Sequence, residues 1–489
     1  METIKPPALK DPGLLRQAML IGGEWVSADS GETIAVRNPA SGETIARVPN
    51  GGAAETARAI AAAKSAEGRW RATLAKERSV ILRRLFELMH THIDDLALLI
   101  TSEQGKPLAE ARGEILYAAG FMEWFAEEAK RVNGDIIPEN LPGRRILAQK
   151  APVGVFAAIT PWNFPAAMIT RKAGPGWAAG CTGVIKPASQ TPLTALALGV
   201  LAERAGLPAG VCNVVTGSAR AIGGELTGSP LVRKLSFTGS TEVGALLLGQ
   251  CAKTIKRTSM ELGGNAPFIV FDDADLETAV KAALVAKYRN SGQSCIGANR
   301  FLVQSGILDA FAARLAQETA NLKVAGGLED GVAIGPLIDD GAVEKVEQHI
   351  TDAMAKGAVI ATGGKRHALG GTFFEPTVLA DVKRDALVSQ EETFGPLAPV
   401  FRFKDEADVI AMCNASPFGL ASYFYSRDLG RVWRVAEALE SGMVGVNTGL
   451  ITTEVAPFGG VKESGLGREG SHHGMDEYVE IKYIMMSGI

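Results

Sequence analysis

Between residues 151 and 262, short β-branched runs alternate with amphipathic, alanine-rich stretches. VGVFAAI (153–159) precedes a helical pattern opening at AMITRK, and GVIK (183–186) precedes TPLTALALGVLAERAG. CNVV (212–215) precedes ARAIGGEL, and KLSFT (234–238) precedes TEVGALLLGQ. Apolar runs of this length, each followed by a segment of helical period, predict βαβ units and a parallel sheet covered on both faces. A second α/β region follows Gly264, with FIVF (268–271), the helix LETAVKAALVAKYR (276–289), the strand RFLVQ (300–304) and further helices to about residue 440. The C-terminal YVEIKYIM alternates Val479, Ile481, Tyr483 and Met485 against Glu480 and Lys482, which predicts a strand with one buried face. GRRILAQK (143–150) is a second candidate, and two strands detached from the main lobes suit edge addition to a neighbouring subunit, so oligomerisation is expected.

Composition narrows the classes without naming a chemistry. The 489 residues suggest about three domains or subdomains, and the net charge of −4 favours neither a nucleic-acid footprint nor an acidic tail. No apolar run approaches the ~18 residues that span a bilayer, and METIKPPALKDPGLL lacks the basic-then-apolar pattern of a secretory signal. A cytoplasmic protein with no membrane or nucleic-acid partner is expected. Cys181, Cys212, Cys251, Cys295 and Cys413 form no C-x-x-C pair, so reduced thiols are expected in place of a disulfide framework. The histidines form no H-E-x-x-H or Cys/His cluster, so no metal site is expected, and His472-His473 reads as part of an exposed loop.

Candidate chemistry lies at the turns. Immediately after KLSF, TGSTEVG places Gly239 and Ser240 at the entry to an apolar helix, where glycine admits an anion and free amides with the helix dipole favour it. The spacing, G-x-x-x-x-G and not G-x-G-x-x-G, also suits an ordinary strand-to-helix turn. Lys186 and Ser189 follow GVIK, at the carboxyl end of a strand, where ligands sit in open α/β sheets. An acidic residue there would bind ribose hydroxyls and repel a 2′-phosphate, whereas a lysine and a hydroxyl tolerate NADP. The alternative is a surface lysine and a helix-capping serine. Cys295, in RNSGQSCIGANR, is set by glycine and small polar neighbours in an exposed turn, while the other four cysteines lie in apolar or helical contexts and read as packing residues. Glu261, in MELGGNAPFIV, ends a strand before two glycines; half-buried there, it could act as a general base, or else serve as a salt-bridged or capping glutamate. In TPWNFP, prolines on both sides fix Asn163, whose amide could donate to an oxyanion or simply complete a turn.

TPWNFP, FTGSTEVG, MELGGNAP, GQSC, EETFGP and PFGGVKESGLGREG stand in the order found in the aldehyde dehydrogenase superfamily, and the chain resembles that superfamily over essentially its whole length. The resemblance implies a Rossmann-type cofactor domain (1–128 and 150–262), an α/β catalytic domain (263–469) and a small β oligomerisation arm (129–149 and 470–489). It implies Cys295 as nucleophile, Glu261 as general base, Asn163 as oxyanion donor and Lys172 in arranging the site. Lys186, Ser189, Gly239 and Ser240 become cofactor contacts, with Glu392 on the nicotinamide ribose and Trp162 and Phe394 in the same cleft.

PWNFPAAMITRK, KYRNSGQSCIGANR and EVAPFGGVKESGLGREGS resemble the succinate-semialdehyde dehydrogenase branch. There Arg171 and Arg289 would hold the substrate carboxylate, with Phe458 lining the pocket and Thr452 where a serine usually assists. KPAS is similar to the NADP-using bacterial enzymes of the branch, with NAD as a second acceptor. Gly297 stands where some relatives carry a second cysteine, so no local disulfide switch is expected. The alternatives are glutarate semialdehyde or another carboxyl-bearing aldehyde as substrate, a CoA-acylating dehydrogenase, a cysteine hydrolase, and a non-catalytic protein on the same scaffold.

Overall fold

The structure is a computed structural model describing residues 4–488. The runs predicted between 151 and 262 form five parallel strands, in the spatial order Cys212–Val214, Thr182–Lys186, Val155–Ile159, Val232–Thr238, Arg257–Glu261. The chain winds outward from Val155–Ile159 in one direction and then returns to its other side with Val232–Thr238. That reversal opens a crevice beyond the carboxyl ends of these two neighbouring strands. Antiparallel edges complete an eight-stranded sheet: Met19–Ile21 and Glu24–Val26 at one side, Gly465–Leu466 at the other. The last pair belongs by sequence to the expected catalytic span, yet it is hydrogen-bonded to Met260 and Glu261.

The second region is a seven-stranded sheet, ordered Val359–Thr362, Thr377–Ala380, Leu397–Phe403, Arg300–Gln304, Pro267–Val270, Ala421–Tyr425, Met443–Val446, parallel except at its first edge. Each sheet carries its own apolar core. Four helices between Ala53 and Glu128 were not resolved by the apolar pattern: Ala53–Ala72 packs on the first sheet, and the other three pack on its covering helices Ala167–Ala179 and Leu193–Ala205, with Leu82, Met89, Phe121 and Phe125 in the same core as Phe156. None of the helices among the described residues is long and apolar enough to cross a membrane.

Phe156 shows why glycines recur in this region. Its ring is fully buried, and a Cβ on Gly176 or Gly183 would come within 2.6 or 2.2 Å of it. The Tyr478 ring meets it edge-on at 5.4 Å, tying the C-terminal segment to the sheet.

Arg144–Pro152 and Val479–Ser487 pair with each other, antiparallel from Val479↔Pro152 to Ser487↔Arg144, with Asp135–Ile137 on the far edge. The expected buried face is not buried within the chain: Val479 is, but Ile481, Tyr483 and Met485 are 74%, 60% and 39% exposed. The arm has no second layer of its own to cover that face. His472 and His473 are exposed as expected, but lie in a short helix, Ser471–Asp476, and not in a loop.

Phe156→Ala removes a ring that both neighbouring glycines were shaped to admit, so a cost of about 3–5 kcal/mol is expected, read as a lower denaturant midpoint with unchanged slope.

Candidate active site

Strand register brings the candidate residues to one edge. Ile159 pairs with Lys186 and Phe237, and Thr238 pairs with Glu261, so the segments carrying Trp162 and Asn163, Lys186 and Ser189, Gly239 and Ser240, and Glu261 leave adjacent strands at the same carboxyl end. Asn163 is buried on the turn into the helix Ala167–Ala179, which carries Arg171 and Lys172. Its Nδ2 donates to the Gln293 carbonyl at 3.2 Å, leaving one amide hydrogen, and its Oδ1 has no partner.

The segment ahead of Cys295 is an unusual turn. Asn290, Ser291 and Gly292 are successively left-handed, with φ of 52°, 55° and 77°. Such backbone persists only where neighbours hold it. Glu110 Oε2 accepts from Asn290 N at 2.7 Å, Ser291 Oγ donates to Gly335 O at 3.0 Å, and a Cβ on Gly292 would sit 2.1 Å from Gly395 O. Cys295 emerges half-buried and not exposed, because the turn folds under the helix Leu108–Glu128 and the 452–458 loop. It lines a narrow cavity with Tyr117, Phe164, Met168, Arg171, Arg289, Thr452 and Phe458. Burial pushes its thiol up to about 12, with the Arg171 charge pulling the other way. The other four cysteines are buried, as packing residues should be.

Glu261 is 2% exposed, deeper than the half-buried position expected, and neither carboxylate oxygen has a hydrogen-bond partner. Burial first, and the nearby Glu469 carboxylate second, hold its pKa well above the usual range. The two glycines after it permit close approach: a Cβ on Gly264 would lie 2.6 Å from the Cys295 carbonyl. Gly459 closes the other side, where a Cβ would fall 2.9 Å from Glu261 Oε1.

Glu469 itself escaped the sequence reading. Arg171 Nε donates to its Oε2 at 2.7 Å, and Lys172 Nζ donates to its Oε1. Although burial favours the neutral acid, these two cations pull Glu469 down to about 2. Arg171 also stacks on the Phe458 ring at 3.9 Å. It is therefore a buried, neutralised cation and not a helix-surface charge. Arg289, half-buried, lies 5.0 Å from the Phe164 ring and forms no ion pair among the described residues. Tyr117, on a helix the apolar pattern did not resolve, adds a buried hydroxyl without a partner to the same cavity.

On the crevice side, Trp162 and Phe394 meet edge to face at 5.5 Å, Phe394 with φ of +57°. Glu392 Oε1 accepts from Gly264 N at 3.4 Å, and burial raises its carboxyl to about 8. Lys186 is buried at its strand end and lowered to about 8 by that burial. Ser189 Oγ donates to Gly217 O at 3.5 Å and caps no helix. Ser240 caps the helix Thr241–Ala252, accepting from Val243 N at 3.4 Å. The expected free amide at Gly239 is corrected: it donates to Glu261 O at 3.1 Å, and the glycine is required because a Cβ would meet the Phe237 ring at 2.4 Å. A half-buried thiol, a neighbouring high-pKa carboxyl and an amide donor beside a doubly wound crevice can together support addition to a carbonyl and later attack by water.

Comparison with known proteins agrees with this chemistry. Residues 25–484 match the aldehyde dehydrogenase family. The chain is 66% identical over 481 residues to a glutarate-semialdehyde dehydrogenase of Pseudomonas aeruginosa, covering 98% of this chain and 100% of the relative. It is 64% identical to a succinate-semialdehyde dehydrogenase (NADP(+)) of Escherichia coli, covering 97% and 99%. A crystal structure described as an E. coli NADP dependent enzyme superposes with a TM-score of 0.98 at 64% identity, covering 98% of this chain and 100% of that one.

The thiolate is the reactive form, so a thiol held near 12 should alkylate roughly tenfold faster per pH unit, without a plateau below pH ~10. Arg171→Met should slow alkylation further at every pH, as followed by mass spectrometry of the cofactor-free protein. A plateau near pH 8 would contradict the burial argument.

Proposed function

We propose that this chain, which belongs to the aldehyde dehydrogenase family, oxidises succinate semialdehyde to succinate with NADP as electron acceptor. The observation that carries the substrate class is Arg289. It lines the Cys295 cavity without a carboxylate partner, while the neighbouring Arg171 is anchored by Glu469. A guanidinium left unpaired in a partly buried cavity is a receptor for an anion, and a short aldehyde with a carboxylate at its far end would meet it while its carbonyl reaches sulfur. Arg171 and the hydroxyl of Thr452 extend the same wall. Glutarate semialdehyde, one methylene longer, is the second reading, favoured by the 66% identical relative that bears that name. A methylene separates substrates by only about 1–3 kcal/mol, so both fall within one pocket design.

The crevice suits a phosphorylated dinucleotide. Lys186 ends its strand with no acidic partner among the described residues, and Ser189 adds a hydroxyl where a ribose-binding carboxylate would exclude a 2′-phosphate. Trp162, Gly239, Ser240, Glu392 and Phe394 line the remainder of this proposed site, with NAD as an alternative acceptor. When bound, the nicotinamide supplies the hydride acceptor. The protein's own part begins with the Cys295 thiolate, its proton lost to solvent, adding through Sγ to the aldehyde carbon as the carbonyl π electrons move to oxygen. The remaining Asn163 Nδ2 hydrogen then stabilises the oxygen that becomes negative. After oxidation a thioester remains on Cys295. Glu261, whose raised pKa makes it a stronger base than an ordinary carboxylate, takes a proton from water as that water attacks the thioester and releases the acid. Lys172 and Glu469 set the charge around that base. A hydrolytic glutamate favours this outcome over transfer to CoA. The uncovered arm face of Ile481 and Tyr483 supports a homodimer or homotetramer in solution.

Steady-state kinetics test the assignment. Succinate semialdehyde should exceed butanal in kcat/KM by at least about tenfold, and Arg289→Gln should erase that margin while sparing butanal. Lys186→Ala should raise KM for NADP more than for NAD. Equal turnover of butanal by the unaltered protein would overturn the substrate, but not the family. A base of raised pKa works only once deprotonated, so thioester hydrolysis should rise with pH through that pKa. Glu261→Gln should yield one equivalent of reduced cofactor and then stall.

A further inference from the structure

A second buried ion pair lies outside the reacting groups. Lys106 sits in the turn between the helices Ile93–Gln104 and Leu108–Glu128 and is 1% exposed. Its Nζ donates to Glu114 Oε2 at 2.6 Å and to the backbone carbonyl of Asn163 at 2.7 Å, and it lies 3.9 Å from the centre of the Phe164 ring. The other carboxylate oxygen of Glu114 accepts from Ala166 N at 2.9 Å and Ala167 N at 3.3 Å, where the helix Ala167–Ala179 begins. The same Asn163 carbonyl accepts from Asn290 Nδ2 at 3.0 Å, and that nitrogen also reaches the Gln293 carbonyl at 3.1 Å. Gln293 O in turn accepts from the Asn163 side chain. One turn before Glu114 on the helix Leu108–Glu128, Glu110 holds Asn290 N.

A buried pair of this kind is not needed for stability, since an apolar pair of similar volume often serves as well. Here the pair and Glu110 fasten the amide-bearing turn and the left-handed turn ahead of Cys295 to one rigid helix start. We propose that Lys106, with Glu114 and Asn290, is a positioning residue that fixes the Asn163 main chain so that its side-chain amide meets the substrate oxygen above Cys295. The proposal rests on Asn163 being the oxyanion donor. The mechanics are those of preorganisation: a donor that must find its place during the reaction loses part of its worth.

The test is a double-mutant cycle on the intact enzyme. Lys106→Met with Glu114→Gln removes both charges together and leaves an acceptor for the Ala166 and Ala167 amides. The first-turnover rate of NADP reduction should fall about 10- to 100-fold, with KM for aldehyde and NADP within about threefold, because ground-state contacts are untouched. In an Asn163→Ala background the same change should cost less than about twofold, since the group being positioned is gone. Asn290→Gly, which keeps the left-handed backbone and removes the second donor, should show the same pattern and decides the matter if the charge-free variant does not fold. Equal losses in both backgrounds, or a raised KM with an unchanged first turnover, would overturn the positioning role. An Asn163→Ala protein as fast as the parent would instead remove the oxyanion donor itself, a distinct outcome that overturns the proposal with it.

Discussion

Arg171 and Lys172 are adjacent, fully buried cations, and one carboxylate, Glu469, answers both. Neither cation could stay charged there alone, because desolvation costs several kcal/mol per ion and an unpaired partner is more costly than a missing pair. The geometry of the site follows from this arrangement. With both cations answered by Glu469, the neighbouring Glu261 lies buried without a hydrogen-bond partner among the described residues, and that burial first, with the Glu469 charge second, drives its pKa upward. The same contact holds the Arg171 fork flat against Phe458, so the wall of the cavity is rigid where a substrate would meet it. The backbone supports it: Glu469 N and O pair with Phe458 O and N, joining the charge cluster to the cavity loop.

That cluster also shows where local reading of the chain runs out. The five parallel strands of the first sheet and the turns after them were legible because each is defined by neighbours in sequence: a β-branched run, a glycine, a pair of prolines; the depth of Cys295 and Glu261 was not, because distant segments cover them. Glu469 was not, because its meaning comes from residues 298 and 297 positions away. Tyr117, Lys106 and Glu114 were missed for a related reason. Glu114 and Tyr117 lie on Leu108–Glu128, which is rich in alanine and buried on more than one face, so the contrast that marks an amphipathic helix is weak, and Lys106 lies in the turn just before it. The need for glycine at 239 was legible only in part, because a glycine after a strand serves an anion or a close side chain equally well, and the packed Phe237 ring supplies a reason that the sequence does not show.

The arm was misread in the opposite sense. The alternation at Val479, Ile481, Tyr483 and Met485 correctly marks one apolar face of a strand, but periodicity says nothing about which chain covers it. Within the protomer it pairs edge to edge with Arg144–Pro152 and leaves the apolar side chains in solvent.

Two arginines in one cavity need different accounts. Arg171 is the group whose charge draws the Cys295 thiol downward against burial, and an anion placed on it would cancel that help and push the thiol back up. Glu469 already sets its charge, so a substrate carboxylate gains less there than at an unpaired cation. Arg289 forms no ion pair among the described residues; it lies over the Phe164 ring and feels the Glu110 carboxyl only at longer range. An anionic group bound at Arg289 spends a charge the nucleophile is not using. In the proposed function the labour divides accordingly: Arg289 would anchor the far end of the substrate, while Arg171, held by Glu469, shapes the wall and the field around sulfur. A pocket so divided would tolerate substrates of slightly different length, because the proposed anchor is a half-buried side chain on a turn and the proposed reacting end lies at Asn163 and Cys295.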